Sequence, residues 1–206
     1  MKIRALVVLV CGVLSFHSAW ASSGSQQLHR FLDKTRSLQA RFTQSVLDEN
    51  QQQAAQAQGI VYIQRPGRLR WDYIEPQKQQ IIADGRQVWL YDPELDQAST
   101  ELQDQAFKGT PAFLLSSTDP VEEHFEVIDI GSSQGFDWVE LIPKDQESQF
   151  VRILVAFSDN EMQRLEMADK FGQVTRLQFY DIVRDPKLDP KLFKFDPPDR
   201  YELFHY

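Results

Sequence analysis

The chain has 206 residues, a formal net charge of −8 and a single cysteine, Cys11. An acidic chain repels phosphate backbones and anionic lipid surfaces, so the composition argues against nucleic acid as a partner. The hydrophobic fraction of 42% is ordinary and is sufficient for one domain with a sizeable core.

The first residues resemble a secretory signal peptide. Lys2 and Arg4 precede an apolar run over residues 5–16, and Ala19-Trp20-Ala21 offers an A-x-A cleavage site. We therefore predict a signal peptide over 1–21, cleaved after Ala21, and one domain over 22–206. The apolar run is too short to span a bilayer as a helix. Cys11 raises the alternative of a lipid-modified cysteine, but Val10 before it is not small and the apolar run continues past it.

An amphipathic helix is predicted from about Ser25 to Ser37, because apolar residues recur there at helical spacing. They are Leu28, Phe31, Leu32 and Leu38. A second helical segment is predicted within 107–115, where a proline suits a first helical turn. Both helices need an apolar partner.

Strands account for most of the remaining chain. We predict them at about 40–47, 60–64, 69–73, 80–83, 87–91, 125–130, 138–142, 150–157, 162–167 and 174–183. Asp84-Gly85 is a two-residue hairpin signal. The glutamine-rich stretch at 51–58 shows no apolar period and reads as a solvated connection. About ten antiparallel strands and two helical interruptions favour a curved sheet with helices on its apolar side.

The clearest alternation lies directly after Arg65-Pro66-Gly67. Leu69, Trp71 and Tyr73 alternate there with charged residues, which are Arg68, Arg70 and Asp72. Period-two alternation places the apolar set on one face of a strand and predicts that the charged set faces solvent. Aromatic residues on this and other strands could form an ordinary core or a concave apolar surface. Periodicity does not distinguish the two.

Recognisable catalytic patterns are missing from the sequence. His29, His124 and His205 lack metal-binding spacing, and neither a nucleophile motif nor a phosphate-binding glycine loop occurs. Most aspartates fall in turns, where the side chain bonds nearby amides. We therefore expect no metal, no cofactor and no enzymatic activity, although a carboxylate pair for hydrolysis is left open.

Several motifs then occur in a specific order. They are R-P-x-x-x-x-W from Arg65, D-G-x-x-x-W-x-Y from Asp84, G-T-P-A-F-L-L from Gly109 and F-x-P-P from Phe195. In this order they resemble the periplasmic family of outer-membrane lipoprotein carrier proteins, over essentially the whole chain after residue 21. That resemblance implies an unclosed antiparallel β-barrel of about eleven strands, covered by short helices.

The resemblance also implies roles for individual residues. The wall of an acyl-chain cavity would include Leu69, Trp71, Ile82, Trp89 and Phe42. The helical lid would include Leu32, Phe113 and Leu115. Arg65 would latch the lid through hydrogen bonds to backbone carbonyls, a task that suits a guanidinium with five donors.

The expected partners follow from the same resemblance. Acylated lipoproteins would be the cargo, received from an inner-membrane ABC-type release complex and passed to an outer-membrane lipoprotein receptor. The carrier would be periplasmic, monomeric and not anchored to a membrane. A general periplasmic lipid-binding or chaperone module is the alternative, and the acylated protein cargo would distinguish the carrier from it.

Overall fold

A computed structural model describes residues 23–196 and 202–205. The predicted signal peptide at 1–21 lies outside the described residues. The elements in chain order are α1 (Gly24–Lys34), β1 (Ser37–Leu47), β2 (Gln53–Gln64), β3 (Arg68–Glu75), β4 (Gln79–Asp84), β5 (Gln87–Asp92), β6 (Gln97–Leu102), α2 (Gln103–Ala106), α3 (Pro111–Ser116), α4 (Val121–His124), β7 (Phe125–Ser133), β8 (Phe136–Pro143), β9 (Phe150–Ser158), β10 (Glu161–Asp169), β11 (Val174–Arg184), a 3-10 turn (Pro190–Phe193) and β12 (Glu202–His205).

One sheet contains every strand of the described chain. Its order is β12-β6-β5-β4-β3-β2-β1-β11-β10-β9-β8-β7, so β7 and β12 are its two ends and the sheet does not close. Neighbours pair antiparallel except for β12, which pairs parallel with β6. The predicted unclosed, mainly antiparallel sheet is confirmed, with twelve strands rather than about eleven.

Two strands, β6 and β12, were missed, and several were predicted too short, β2 by the most. β6 has the sequence QASTEL, which has no apolar alternation, and it is held by pairing with β5. The glutamine-rich stretch is also not a connection, because β2 already begins at Gln53 and pairs there with β1. Backbone pairing does not require an apolar face, so a fully exposed part of a strand gives no period to read.

The alternation along β3 has the predicted effect on its apolar face. Leu69 and Trp71 are buried, whereas Arg68 is exposed. The prediction that the other two charged residues face solvent is wrong. Their side chains are only 18% and 21% exposed, and Arg70 Nε lies 2.8 Å from an oxygen of Asp72. Arg70 also donates to the carbonyl of Leu192, so the 3-10 turn covers this part of the outer face.

The helices lie on the inner face of the sheet. α1 is capped by Ser23, whose hydroxyl accepts from the N–H of Gln26, and it packs across β7–β10 through its buried residues Leu28 and Phe31. It ends at Lys34, earlier than predicted, because the chain extends at Thr35 and enters β1. The segment predicted as helical overlaps α3, whose N-cap Thr110 precedes Pro111.

No described helix is long and apolar enough to cross a bilayer. Within the same described residues, no group of histidine, aspartate and glutamate side chains is arranged to hold a metal ion.

Candidate functional site: an apolar cavity beneath the helices

A cavity of about 690 Å³ lies between the inner face of the sheet and the α2–α3 segment. Strands β3 to β6 form one side of it, and β9 to β11 contribute at the other. Its wall is mostly apolar, and the apolar residues are Leu69, Trp71, Ile81, Val88, Leu90, Ala106, Phe107, Pro111, Ala112, Phe150, Met167 and Leu177. Such a wall suits a long hydrocarbon chain rather than a polar metabolite.

Two of the five predicted wall residues line this cavity, and a third supports it. Leu69 and Trp71 lie in the wall. Phe42 is fully buried behind them, with its ring centroid 4.9 Å from that of Trp71 and 5.4 Å from that of Tyr73. Phe42 therefore fixes the position of two wall residues without lining the cavity itself.

Ile82 and Trp89 lie on the opposite, outer face, which differs from the prediction. They are direct partners across β4 and β5, so they share a face. Trp89 stacks on Phe195 with ring centroids 4.7 Å apart, beneath the C-terminal segment. In the pair Ile81-Ile82 both residues are apolar, so period-two reasoning could not decide which one points inward. The register places Ile81 opposite Trp71 and therefore in the cavity wall.

Several wall residues come from strands far away in sequence. Met167 on β10 and Leu177 on β11 reach the cavity because β11 lies beside β1 in the sheet and β10 lies beside β11. Sequence reasoning recognised the strands but not the register between them. Leu177 alternates with the polar residues Arg176 and Gln178, and only the strand order shows what it faces.

The three predicted lid residues occupy different environments. Leu115 is fully buried, whereas Leu32 and Phe113 are half-buried and pack against the core. The ring centroid of Phe113 lies 4.2 Å from that of His124. The surface that the lid presents to the cavity comes instead from neighbouring residues, namely Ala106, Phe107, Thr110, Pro111 and Ala112.

Arg65, in the turn between β2 and β3, connects the sheet to two helices. Its Nε donates to the carbonyl oxygen of Leu115 at 2.9 Å, Nη2 donates to Leu114 at 3.0 Å, and Nη1 donates to Leu32 at 2.5 Å. These carbonyls lie in the last turns of α3 and α1, where backbone oxygens have no partner within the helix. A cation placed there also interacts favourably with the negative ends of both helix dipoles.

The adjacent backbone completes the capping of α3. Its last four carbonyls all accept a hydrogen bond: Phe113 from the N–H of Ser117, Leu114 and Leu115 from Arg65, and Ser116 from the N–H of Gly67 at 2.8 Å. The β2–β3 turn thus holds the whole C-terminal end of α3.

Burial, with a smaller effect from the nearby charge of Arg36, lowers the pKa of Arg65 to about 10, while Asp33 opposes the shift. The side chain is 8% exposed, and its guanidinium carbon lies 5.6 Å from the ring centroid of Phe31. A pKa near 10 still leaves the group charged at neutral pH, so all three hydrogen bonds retain a charged donor.

A second connection joins the helices to each other. His29 Nε2 on α1 lies 2.5 Å from Glu122 Oε1 on α4. Desolvation lowers the pKa of His29, but hydrogen bonds to the Ser25 carbonyl and to Glu122, together with the Glu122 charge, raise it, and the net shift is upward. The hydrogen bond to His29 lowers the pKa of Glu122 in turn.

The polar side chains that line the cavity are those of Gln44, Tyr73, Ser99, Thr100, Glu101, Thr110 and Gln149. The phenol of Tyr73 donates to Gln44 Oε1 at 3.0 Å, and burial raises its pKa to about 12. The phenol is therefore neutral and hydrogen-bonded. The arrangement as a whole offers a mainly apolar binding surface that suits an apolar chain.

Known proteins share both sequence and fold with this chain. The family model described as outer membrane lipoprotein carrier protein LolA matches residues 33–196. A protein named outer-membrane lipoprotein carrier protein from Methylococcus capsulatus is 39% identical over 201 residues, covering 98% of this chain and 97% of that protein. One of the same name from Dechloromonas aromatica is 40% identical over 172 residues, covering 84% and 83% of the two chains.

Solved structures with little sequence similarity have the same fold. An uncharacterised conserved protein from Thermus thermophilus superposes with a TM-score of 0.56 at 13% identity, covering 88% of this chain and 99% of that one. A DUF1329 family protein from Desulfovibrio piger gives a TM-score of 0.51 at 13% identity, covering 82% and 95%. At such low identity the likeness extends to the fold alone.

Proposed function

This chain belongs to the family of outer-membrane lipoprotein carrier proteins, and from that premise we propose that it carries lipoproteins with their acyl chains held in the cavity. The observation that carries the proposal is the mainly apolar cavity of about 690 Å³ beneath the α2–α3 segment, in which α3 is bonded to the sheet through Arg65. We further propose that residues 1–21 direct export and are removed, and that the carrier acts in the periplasm as an unanchored monomer.

The energetics of acyl burial determine how such a carrier must work. Burial contributes about 0.8 kcal/mol per methylene, so a chain of roughly 15 methylenes represents about 12 kcal/mol. Several chains would exceed the practical ceiling of about 18 to 21 kcal/mol for non-covalent affinity. Release through free water would be far too slow. Cargo therefore enters from an inner-membrane ABC-type release complex, and leaves to an outer-membrane lipoprotein receptor, through direct apposition of apolar surfaces.

Lid closure moderates the net affinity. Phe107 and Ala112 line the empty cavity, so cargo that enters must displace the contacts that these lid residues make. Arg65 stabilises the closed, empty arrangement by bonding α1 and α3 to the sheet. Its hydrogen bonds therefore favour cargo release, since closing regains them. The hydrolysis energy of the release complex would drive loading.

Recovery of the carrier from periplasm under mild conditions, followed by native mass spectrometry, tests this function. Wild type is expected to be largely empty, and Arg65→Leu is expected to carry acylated lipoprotein. Arg68→Leu is the matched control, because Arg68 lies three residues away on an exposed position. Free phospholipid alone on every variant would contradict the proposal and favour a general lipid-binding module. Equal release of cargo by wild type and Arg65→Leu would contradict the latch.

A further inference from the structure

Two residues that line the cavity, Trp71 and Thr100, each carry a buried polar atom without a hydrogen-bond partner among the described residues. Trp71 Nε1 is sealed from solvent and makes no hydrogen bond within the described residues. The side chain is 8% exposed and is held between Phe42 and Phe179, with ring centroids 4.9 Å and 6.3 Å away. A buried N–H without an acceptor is destabilising, and buried donors in native proteins are nearly always paired.

A phenylalanine would pack among these rings without that penalty. The neighbouring polar group on the same face of the strand, the Tyr73 phenol, is paired with Gln44. In the empty protein the Trp71 N–H and the Thr100 hydroxyl are thus the two buried polar groups of this cavity that lack a partner among the described residues. The unpaired Trp71 N–H suggests that the acceptor arrives with the ligand.

The chemistry of the cavity restricts what that acceptor can be. The wall around Trp71 is apolar, with Leu69, Ile81 and Leu177 among its residues. A hydrocarbon chain satisfies such a wall but offers no acceptor. An acyl group satisfies both, since it is a hydrocarbon chain that ends in one carbonyl oxygen with no donor. An ester or amide carbonyl matches a lone indole N–H, whereas a free hydroxyl would bring a donor of its own.

We propose that Trp71 Nε1 donates a hydrogen bond to the ester or amide carbonyl of a bound acyl chain, an inference that rests on the proposed carrier function. Because the N–H is sealed in the empty protein, the carbonyl gains access to it only as the surrounding side chains move on binding. The bond sets how deeply the chain enters, because it places the carbonyl beside the middle of β3. It also makes the cavity prefer acyl chains to alkyl chains of equal length.

Two synthetic lipopeptides provide the probe. Both carry a cysteine S-glyceryl group, one with two palmitoyl esters and the other with two hexadecyl ethers, which lack the carbonyls. Wild type is expected to bind the ester about tenfold more tightly, which corresponds to about 1.4 kcal/mol. Trp71→Phe keeps an aromatic ring and removes the N–H, so it should bind both probes alike. Trp89→Phe on the outer face is the matched control and should retain the tenfold preference.

A spectroscopic readout makes the test independent of any folding defect in the variant. The indole N–H proton of Trp71, assigned by its loss in Trp71→Phe, should shift downfield with the ester and not with the ether. Equal binding of both probes by wild type, with that resonance unmoved, would overturn the inference and leave the carrier function standing. Failure of both probes to bind would instead refute acyl-chain binding and the inference with it.

Discussion

The guanidinium of Arg65 lies 2.9 Å from the carbonyl oxygen of Leu115, measured from Nε, and this bond joins the β2–β3 turn to α3. The two residues are 50 positions apart in the chain. Among the described residues, the arginine has no carboxylate within salt-bridge distance. The Leu115 carbonyl lies in the last turn of α3, where the helix supplies no N–H to bond it. The bond therefore satisfies a buried cation and an unpaired helix terminus at once.

Substitutions of Arg65 should distinguish the contribution of its charge to stability from that of its hydrogen-bonding geometry. Arg65→Leu leaves the carbonyls of Leu32, Leu114 and Leu115 without this donor, and we expect the free energy of unfolding to fall by about 3 kcal/mol. Arg65→Lys keeps a charge but cannot reach three acceptors in one plane, so an intermediate loss is expected. Denaturant titration measures both. Arg68→Leu should change stability by less than about 0.5 kcal/mol, and a similar loss there would contradict the argument.

Gly59 is required where β2 passes under Phe42. A Cβ built there would lie 2.0 Å from the Asp72 carbonyl oxygen and 2.8 Å from the Phe42 ring. Gly59→Ala should therefore lower the free energy of unfolding by about 3 kcal/mol, since the obstacle includes backbone. Gly135→Ala provides the comparison. Gly135 has a φ of +80° but no atom within 4 Å, so its cost should be only about 1 kcal/mol.

Filling the cavity should block cargo without unfolding the protein. Ala112→Phe extends a ring from α3 into the space of about 690 Å³ that Ala112 borders. We expect weaker binding of an acylated peptide and an unchanged or slightly higher melting temperature, because the ring enters a void rather than a packed core. Gln105→Phe on the exposed side of α2 should leave binding intact. Undiminished binding by Ala112→Phe would place the acyl chain elsewhere.

The outer face should prove structural rather than ligand-binding. Phe193 is 1% exposed within the C-terminal 3-10 turn that covers β3 and β4. Phe193→Ala should lower the free energy of unfolding by about 3 kcal/mol, as expected for truncation of a buried aromatic ring. The folded fraction should bind an acylated peptide with unchanged affinity. A selective loss of affinity in the folded protein would show that this face takes part in binding.

The His29–Glu122 contact should make stability depend on pH. The pKa of His29 is raised in the folded protein, so its contribution is complete below its ordinary pKa of about 6.5 and is lost as pH rises through the higher folded-state value. The pKa of Glu122 is lowered, so its contribution is present above about 4.3 and is lost as pH falls through the folded-state value. The contact therefore stabilises the fold most between about pH 4.3 and 6.5.

Comparison of wild type with His29→Gln isolates the contribution of the His29–Glu122 contact to stability. The difference in the free energy of unfolding between wild type and the variant should be largest in that window and should shrink on either side. The size is modest, because both side chains are about half exposed and solvent screens the pair. A difference that does not vary with pH would mean that the contact carries no charge.

The sequence by itself determined the class of the fold and most of its strands. Period-two alternation identified ten of the twelve strands, and the ordered motifs indicated the family. These features are local, since an alternating strand reports its own two faces and a turn reports its own residues. The alternation placed Leu69 and Trp71 on one apolar face, and the family resemblance assigned that face to the cavity, whose wall includes both. β6 and β12 were not predicted, because such short strands are held by backbone pairing rather than by an alternating apolar face.

Tertiary structure alone decided which apolar face is cavity, which is core and which is covered from outside. Ile82 and Trp89 are as apolar as their neighbours, yet register places them under the C-terminal segment. The charged face of β3 was expected to meet solvent and instead lies partly beneath Leu192. The sequence also contains no sign that Trp71 Nε1 lacks a hydrogen-bond partner, because that depends on every side chain around it. Burial and hydrogen bonding depend on contacts between segments that are distant in the chain. A periodic pattern describes only one of the two segments in each contact.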